Sequence, residues 1–264
     1  MPRKEIFSRR NLPHWYMPGA AHFVTYRLAG TIPVEVLSQL REKREDAIRK
    51  KTRGETDGNG RHEQAHKQFF VDYDKYLDQN RDRDWLANPK IAAKLRENLY
   101  HHHGKKYYLL AYCFMPNHVH ALLQPIDPSR SHKLPACDSP PVAEPYAHQT
   151  TTIASKAACG YGEFPSDETS DGNGPLSEIM HSLKSDTANV ANRLMERTGQ
   201  FWQHESYDHW VRDEDELERI VFYIQANPVE ASLVAHPQDW FWCSCHDRFL
   251  QDGEVTAWLG WPTR

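Results

Sequence analysis

The sequence predicts an α+β protein whose sheet carries its helices on one face. Two observations predict it: strand-like and helix-like segments are mixed along the chain, and two strongly apolar strands are joined by a three-residue turn. The 264 residues are 39% hydrophobic and 26% charged, enough for one large domain with insertions. The formal charge is −4, so the globally basic footprint of many nucleic-acid binders is missing and any such binding needs a local patch. No long apolar run or N-terminal leader is seen, and five scattered cysteines argue against a disulfide framework or a zinc ribbon. The expectation is a reduced, cytoplasmic protein with no membrane segment.

Each element follows from local pattern. Ala21–Gly30, "AHFVTYRLAG", alternates as a strand and closes at a glycine. "PVEVLSQLREKREDAIRKKTR" reads as a helix with a basic second half, most simply a solvated face and otherwise a phosphate-facing one. A polar helix is expected over roughly Glu63–Leu77. The next helix has Asn88 as cap, Pro89 in its first turn and Gly104 as stop. "KKYYLLAYCF" and "HVHALLQ" form strands around the Met115-Pro116-Asn117 turn. Residues 125–175 hold eight of the 17 prolines and show no sustained period, so a flexible insertion is expected there. Beyond it, Leu176, Ile179, Leu183, Val190 and Leu194 mark a helical stripe. After a short aromatic segment, the acidic turn Asp213–Glu216 opens another helix, which Pro228 ends or interrupts in its last turn. The expected organisation is one domain over 1–250, interrupted by 125–175, with a tail at 251–264.

Two constellations carry chemistry. In a strand, residues i and i+2 share a face, so His118 and His120 project together while Val119 turns away. Two imidazoles on one sheet face are a ready pair of metal ligands, although half-exposed surface histidines satisfy the same spacing. On the last helix, Tyr223 and Asn227 lie at i and i+4 and share a face. Tyr223 borders the apolar stripe; an ordinary core tyrosine satisfies that position as well.

Together, "FMPNHVHALLQP", "SLKSDTANVANRL" and "GQFWQHESYDHWVRDEDELERIVFYIQANPVEASLV" resemble the REP-associated tyrosine transposases, single-tyrosine members of the HUH (His–hydrophobic–His) transposases. The resemblance covers the N-terminal strand, about Lys105–Gln124 and Leu176–Val234, with three motifs in order. It implies a ferredoxin-like or RRM-like antiparallel sheet, with His118 and His120 holding Mg²⁺ or Mn²⁺ and Asn227 as a further polar ligand. It also implies Tyr223 as the nucleophile in cleavage and rejoining of single-stranded, hairpin-containing (REP-type) DNA through a 5′-phosphotyrosine. A domesticated hairpin-binding protein without cleavage is the alternative. The implied partner is hairpin DNA, bound by a monomer or homodimer.

Other residues are weighed beside these. Lys184 in "SLKS", with His209 and Arg212, are candidate DNA contacts. Tyr207, in "HESYDHW", is a rival nucleophile read as structural, and Trp202, Trp240 and Trp242 are read as core packing rather than base-stacking platforms. The chain departs from the compact family pattern in its long helical region between Gly30 and Gly104 and in the insertion at 125–175.

Overall fold

A computed structural model describes residues 6–9, 13–49, 58–126 and 175–246. The expected insertion at 125–175 falls almost wholly outside these residues, and the tail at 251–264 falls entirely outside them. In chain order the elements are β1 (Ile6–Arg9), β2 (Pro13–Tyr16), β3 (His22–Arg27), α1 (Val34–Arg49), α2 (Gly58–Gln79), α3 (Pro89–His102), β4 (Tyr107–Phe114), β5 (His118–Pro125), α4 (Pro175–Leu194), β6 (Tyr207–Trp210) and α5 (Glu214–Glu230). Strands β1 and β2 form a separate two-stranded ribbon.

The main sheet is antiparallel in the order β4-β5-β3-β6, which places β3 and β5 at its centre. With α3 between β3 and β4, and α4 between β5 and β6, this is the split βαβ, ferredoxin-like arrangement. The α1–α2 pair is an insertion into its first crossover. β6 lies within the stretch that reads in sequence as a short aromatic segment. Its four residues give too little alternation to mark a strand, and its pairing with β3 defines it.

Local sequence chemistry sets several ends. The Asn88 side chain accepts from the backbone N–H of Lys90 at 3.0 Å at the start of α3, and Gly104, at φ +71°, turns the chain out of that helix. Asp213 caps α5 by accepting from the N–H of Glu216 at 2.8 Å. Pro228 sits inside the last turn of α5, which continues only to Glu230. α2 is longer than the stretch its polar pattern suggests.

Helices cover both faces of the sheet, not one. Helices α3 and α4 pack on Val24, Tyr26, Leu109, Tyr112, Val119 and Ala121. On the opposite face, α2 and α5 contribute Phe70, Ile220, Tyr223 and Ile224, which pack against Phe23, Leu122 and Cys113. The strands are buried at nearly every position, as strands covered on both sides must be. The helical stripe of α4 is corrected at its end. Leu194 is exposed, and Thr187 and Ala191 take up the buried line. Trp202 is buried against Tyr26 and donates its indole N–H to Thr187 Oγ1 at 2.8 Å. Trp240 donates to the carbonyl of Phe114 at 2.9 Å, while residues 242–244 bond to the outer edge of β4.

Candidate metal and nucleophile site

The site lies between the sheet and the helices on the α2/α5 face. Strand alternation sends His118 and His120 to this face, where their cross-strand partners on β3 are Arg27 and Thr25. The two Nε2 atoms stand 3.0 Å apart. Each ring is fixed from behind. Asn117 Oδ1 accepts from His118 Nδ1–H at 2.6 Å, and Asn117 is itself held because its amide donates to the carbonyls of Leu77 and Asn80. Thr25 Oγ1 lies 2.8 Å from His120 Nδ1. With Nδ1 of His118 carrying the proton, its Nε2 presents a lone pair into the site.

Helix geometry brings Tyr223 and Asn227 to the same place. Asn227 Nδ2 lies 3.4 Å from the Tyr223 hydroxyl, as i and i+4 positions allow. Sequence reasoning missed the group that joins the two constellations, Asp74 on α2. Its Oδ2 accepts from the Tyr223 hydroxyl and from Asn227 Nδ2 at 3.3 Å. Its Oδ1 faces His120 Nε2 at 3.4 Å and His118 Nε2 at 3.7 Å. A lone aspartate in a polar helix gives no signal in the sequence. An apolar partner stripe on α2 (Phe70, Tyr73 and Leu77) is the only hint that Asp74 turns inward.

The whole cluster is buried: His118 and His120 are 0% exposed, Tyr223 and Asn227 1%, and Asp74 4%. Burial lowers both histidines to about 3, with His118 further lowered by its neighbour His120, so both rings are neutral near pH 7. Burial, then the carboxylates of Asp74 and Asp78, pushes the Tyr223 hydroxyl well above its ordinary range. Burial also raises Asp74, and it raises Asp78 to about 9 with help from Asp74 and Glu230. A small cleft beside the site is lined by Asp78, Arg81, Asn117 and His118.

These residues fit a divalent cation. Asp74, His118 and His120 offer three ligand atoms within 4.8 Å of one another. The two Nε2 atoms share either one proton, with His120 donating to the His118 lone pair, or a cation that both lone pairs face. Asp74 Oδ1 and Asn227 Oδ1 are buried without a hydrogen-bond partner in the structure, an arrangement that costs stability unless a ligand completes it. The mix of imidazole nitrogen and carboxylate oxygen is a donor set that divalent cations take.

The remaining predicted contacts lie apart from this cluster. Lys184 donates to the carbonyls of Gln203 and His204 at 3.1 and 3.0 Å. Burial and then Arg27 lower it to about 7. His209 and Arg212 both bind the fully buried Glu216: His209 Nε2 at 3.0 Å, the Arg212 backbone N–H at 2.6 Å and its Nε at 3.3 Å. Tyr207 packs its ring on Phe70 and Phe23, in the core beside Tyr223.

No family model and no curated protein matches the sequence. Among solved structures, that of a REP-associated tyrosine transposase bound to a REP hairpin is similar to this chain. The match covers 90% of this chain and 84% of that one, at 13% identity and a TM-score of 0.47. Among the described residues, no helix is long and apolar enough to cross a membrane.

Proposed function

We propose that this protein is a metal-dependent, single-stranded DNA endonuclease and transposase that cuts and rejoins hairpin-containing DNA of the REP type through Tyr223. The observation that carries the proposal is the convergence of the Tyr223 hydroxyl and two neutral, back-supported imidazoles on one carboxylate. In this reading His118 and His120 hold the cation, with the buried, unpartnered Oδ1 of Asn227 within reach of it.

The residue types suit the chemistry. A phosphodiester resists attack because its oxygens are negative. A bound Mn²⁺ or Mg²⁺ supplies charge neutralisation and orientation of the scissile phosphate. The chain's own task is to hold a phenol in line and to exclude water, which would otherwise hydrolyse the stored bond. Tyr223 sits in a packed pocket among Phe23, Phe70 and His120, which fixes its ring and keeps water out. In the step, the Tyr223 Oη–P bond forms and the P–O3′ bond breaks. In net balance the phenolic proton passes to the departing 3′ oxygen. The product is a 5′-phosphotyrosine and a free 3′-OH, poised for rejoining.

Binding without cleavage is the second reading, and the complete burial of the cluster favours it, since no phosphate reaches Tyr223 in this closed form. A covalent-adduct assay separates the two. Labelled hairpin oligonucleotides with single-stranded flanks are incubated with the protein and Mn²⁺ and run on denaturing gels. The expected result is a protein-linked band, lost in Tyr223→Phe and with chelator. A shifted native complex with no adduct across several hairpins would establish the binding reading. An adduct that survives Tyr223→Phe would move the nucleophile to another residue, with Tyr207 the nearest rival.

A further inference from the structure

We propose that helix α2 is a built-in plug, in which Asp74 occupies the place of the scissile phosphate and which must withdraw before DNA enters the site. This rests on the function proposed above, because it names what regulates that same site.

The likeness is chemical. A scissile phosphate would put one oxygen toward the cation between His118 and His120 and its phosphorus in line with the Tyr223 hydroxyl. Asp74 places one oxygen opposite both imidazoles and gives the other to that hydroxyl. The same helix occupies a second phosphate-binding group. Arg27 is the cross-strand neighbour of His118 and is 3% exposed, and its Nε donates to the Tyr73 hydroxyl at 2.9 Å. A buried guanidinium beside a proposed phosphodiester site would suit a phosphate better than a phenol. Adjacent residues of α2, Tyr73 and Asp74, thus engage both the Arg27 guanidinium and the nucleophile.

The plug is built to leave as a unit. α1 and α2 share their own small core, formed by Ile32, Phe69, Tyr73 and Leu77 with side chains of α1, separate from the two sheet cores. Their ends meet at one point, where Asn80 Nδ2 donates to the carbonyl of Thr31 at 2.9 Å. There Gly30, at φ +76°, lies against the Arg83 guanidinium so closely that a Cβ would stand 3.0 Å from it. Toward the sheet, α2 packs Phe70 and the smaller Val71 against the core and adds polar contacts: Arg27–Tyr73, Asn117 to the Leu77 carbonyl, and Asp74. Polar contacts of this kind are readily exchanged for a polar ligand. The closed form also shields the phenol from water when no DNA is present.

The test is hydrogen–deuterium exchange by mass spectrometry on the full chain with Mn²⁺, with and without a hairpin oligonucleotide bearing single-stranded flanks, run beside the adduct assay. Wild type, Asp74→Ala and Asp74→Asn are compared; Asp74→Asn keeps the shape and loses the charge. DNA is expected to speed exchange in residues 66–79 while β5 stays protected. The Asp74 variants are expected to show part of that increase without DNA. Their adduct rate should exceed that of wild type roughly tenfold or more, the factor carried by one hydrogen bond to a charged group. Exchange in α2 that neither DNA nor either substitution changes would overturn the plug. Variants that bind Mn²⁺ but lose the adduct that wild type forms would also overturn it, by assigning Asp74 to the reaction itself. If wild type forms no adduct, the cleavage reading fails alone, and the exchange measurement still decides whether α2 opens.

Discussion

Proton release on metal binding tests the electrostatics of the site directly. An ordinary histidine, with a reference pKa of about 6.5, is roughly three-quarters protonated at about pH 6, so a pair of them would give up about 1.5 protons to a metal. Here burial lowers both rings to about 3, and both are neutral at that pH. The sign follows: burial depresses these histidines, so protons compete with the metal only as the pH falls toward 3, not through 6.5. Asp74 shifts the other way, because burial raises its carboxyl, so any proton the closed cluster gives up to a metal comes from that carboxyl. The expected release at about pH 6 is therefore at most about one proton per Mn²⁺ in wild type and about none in Asp74→Asn. The energetic counterpart is about 0.8 kcal/mol of proton competition spared per histidine, near a fourfold gain in affinity for each. Isothermal titration calorimetry of Mn²⁺ binding in buffers of different ionisation enthalpy measures the number. A release near 1.5 protons in Asp74→Asn would refute the claim that the imidazoles are held neutral by burial. No binding heat in any buffer, with no binding by a second method, would refute the metal site itself.

Further outcomes follow from the same geometry. Thr25→Val removes the contact behind His120 Nδ1 and is expected to weaken Mn²⁺ binding by roughly tenfold, the usual size of a supporting-ligand effect; unchanged affinity would show that ring packing alone orients His120. Glu216→Gln strips the charge from a fully buried carboxylate that binds both His209 and Arg212, and should lower stability in urea by about 2–4 kcal/mol. A neutral result there would mean the network is not needed for the fold. Lys184→Met should lower the melting temperature and leave the salt dependence of DNA binding intact, because Lys184 is bonded to two backbone carbonyls. A salt slope reduced by about one would return it to the phosphate-contacting role.

What the sequence determined by itself was local. A period of two put His118 and His120 on one strand face, and a spacing of four put Tyr223 and Asn227 on one helix face, because backbone geometry fixes both within a few residues. The Asn88 cap, the Gly104 stop and the β4–β5 hairpin were legible for the same reason. Only the tertiary structure decided which distant groups share a chamber. Helix α2 reads in sequence only as polar, and its docking brings Asp74 between the imidazoles and the phenol. Likewise, β6 exists only through its register with β3, and the second covered face of the sheet comes from helices far apart in the chain. Lys184, His209 and Arg212 read in sequence as candidate DNA contacts, and only packing shows their carbonyl and carboxylate partners. The division is physical: periodicity records which way a side chain leaves its own backbone, whereas what it meets is set by long-range packing, which local sequence does not encode.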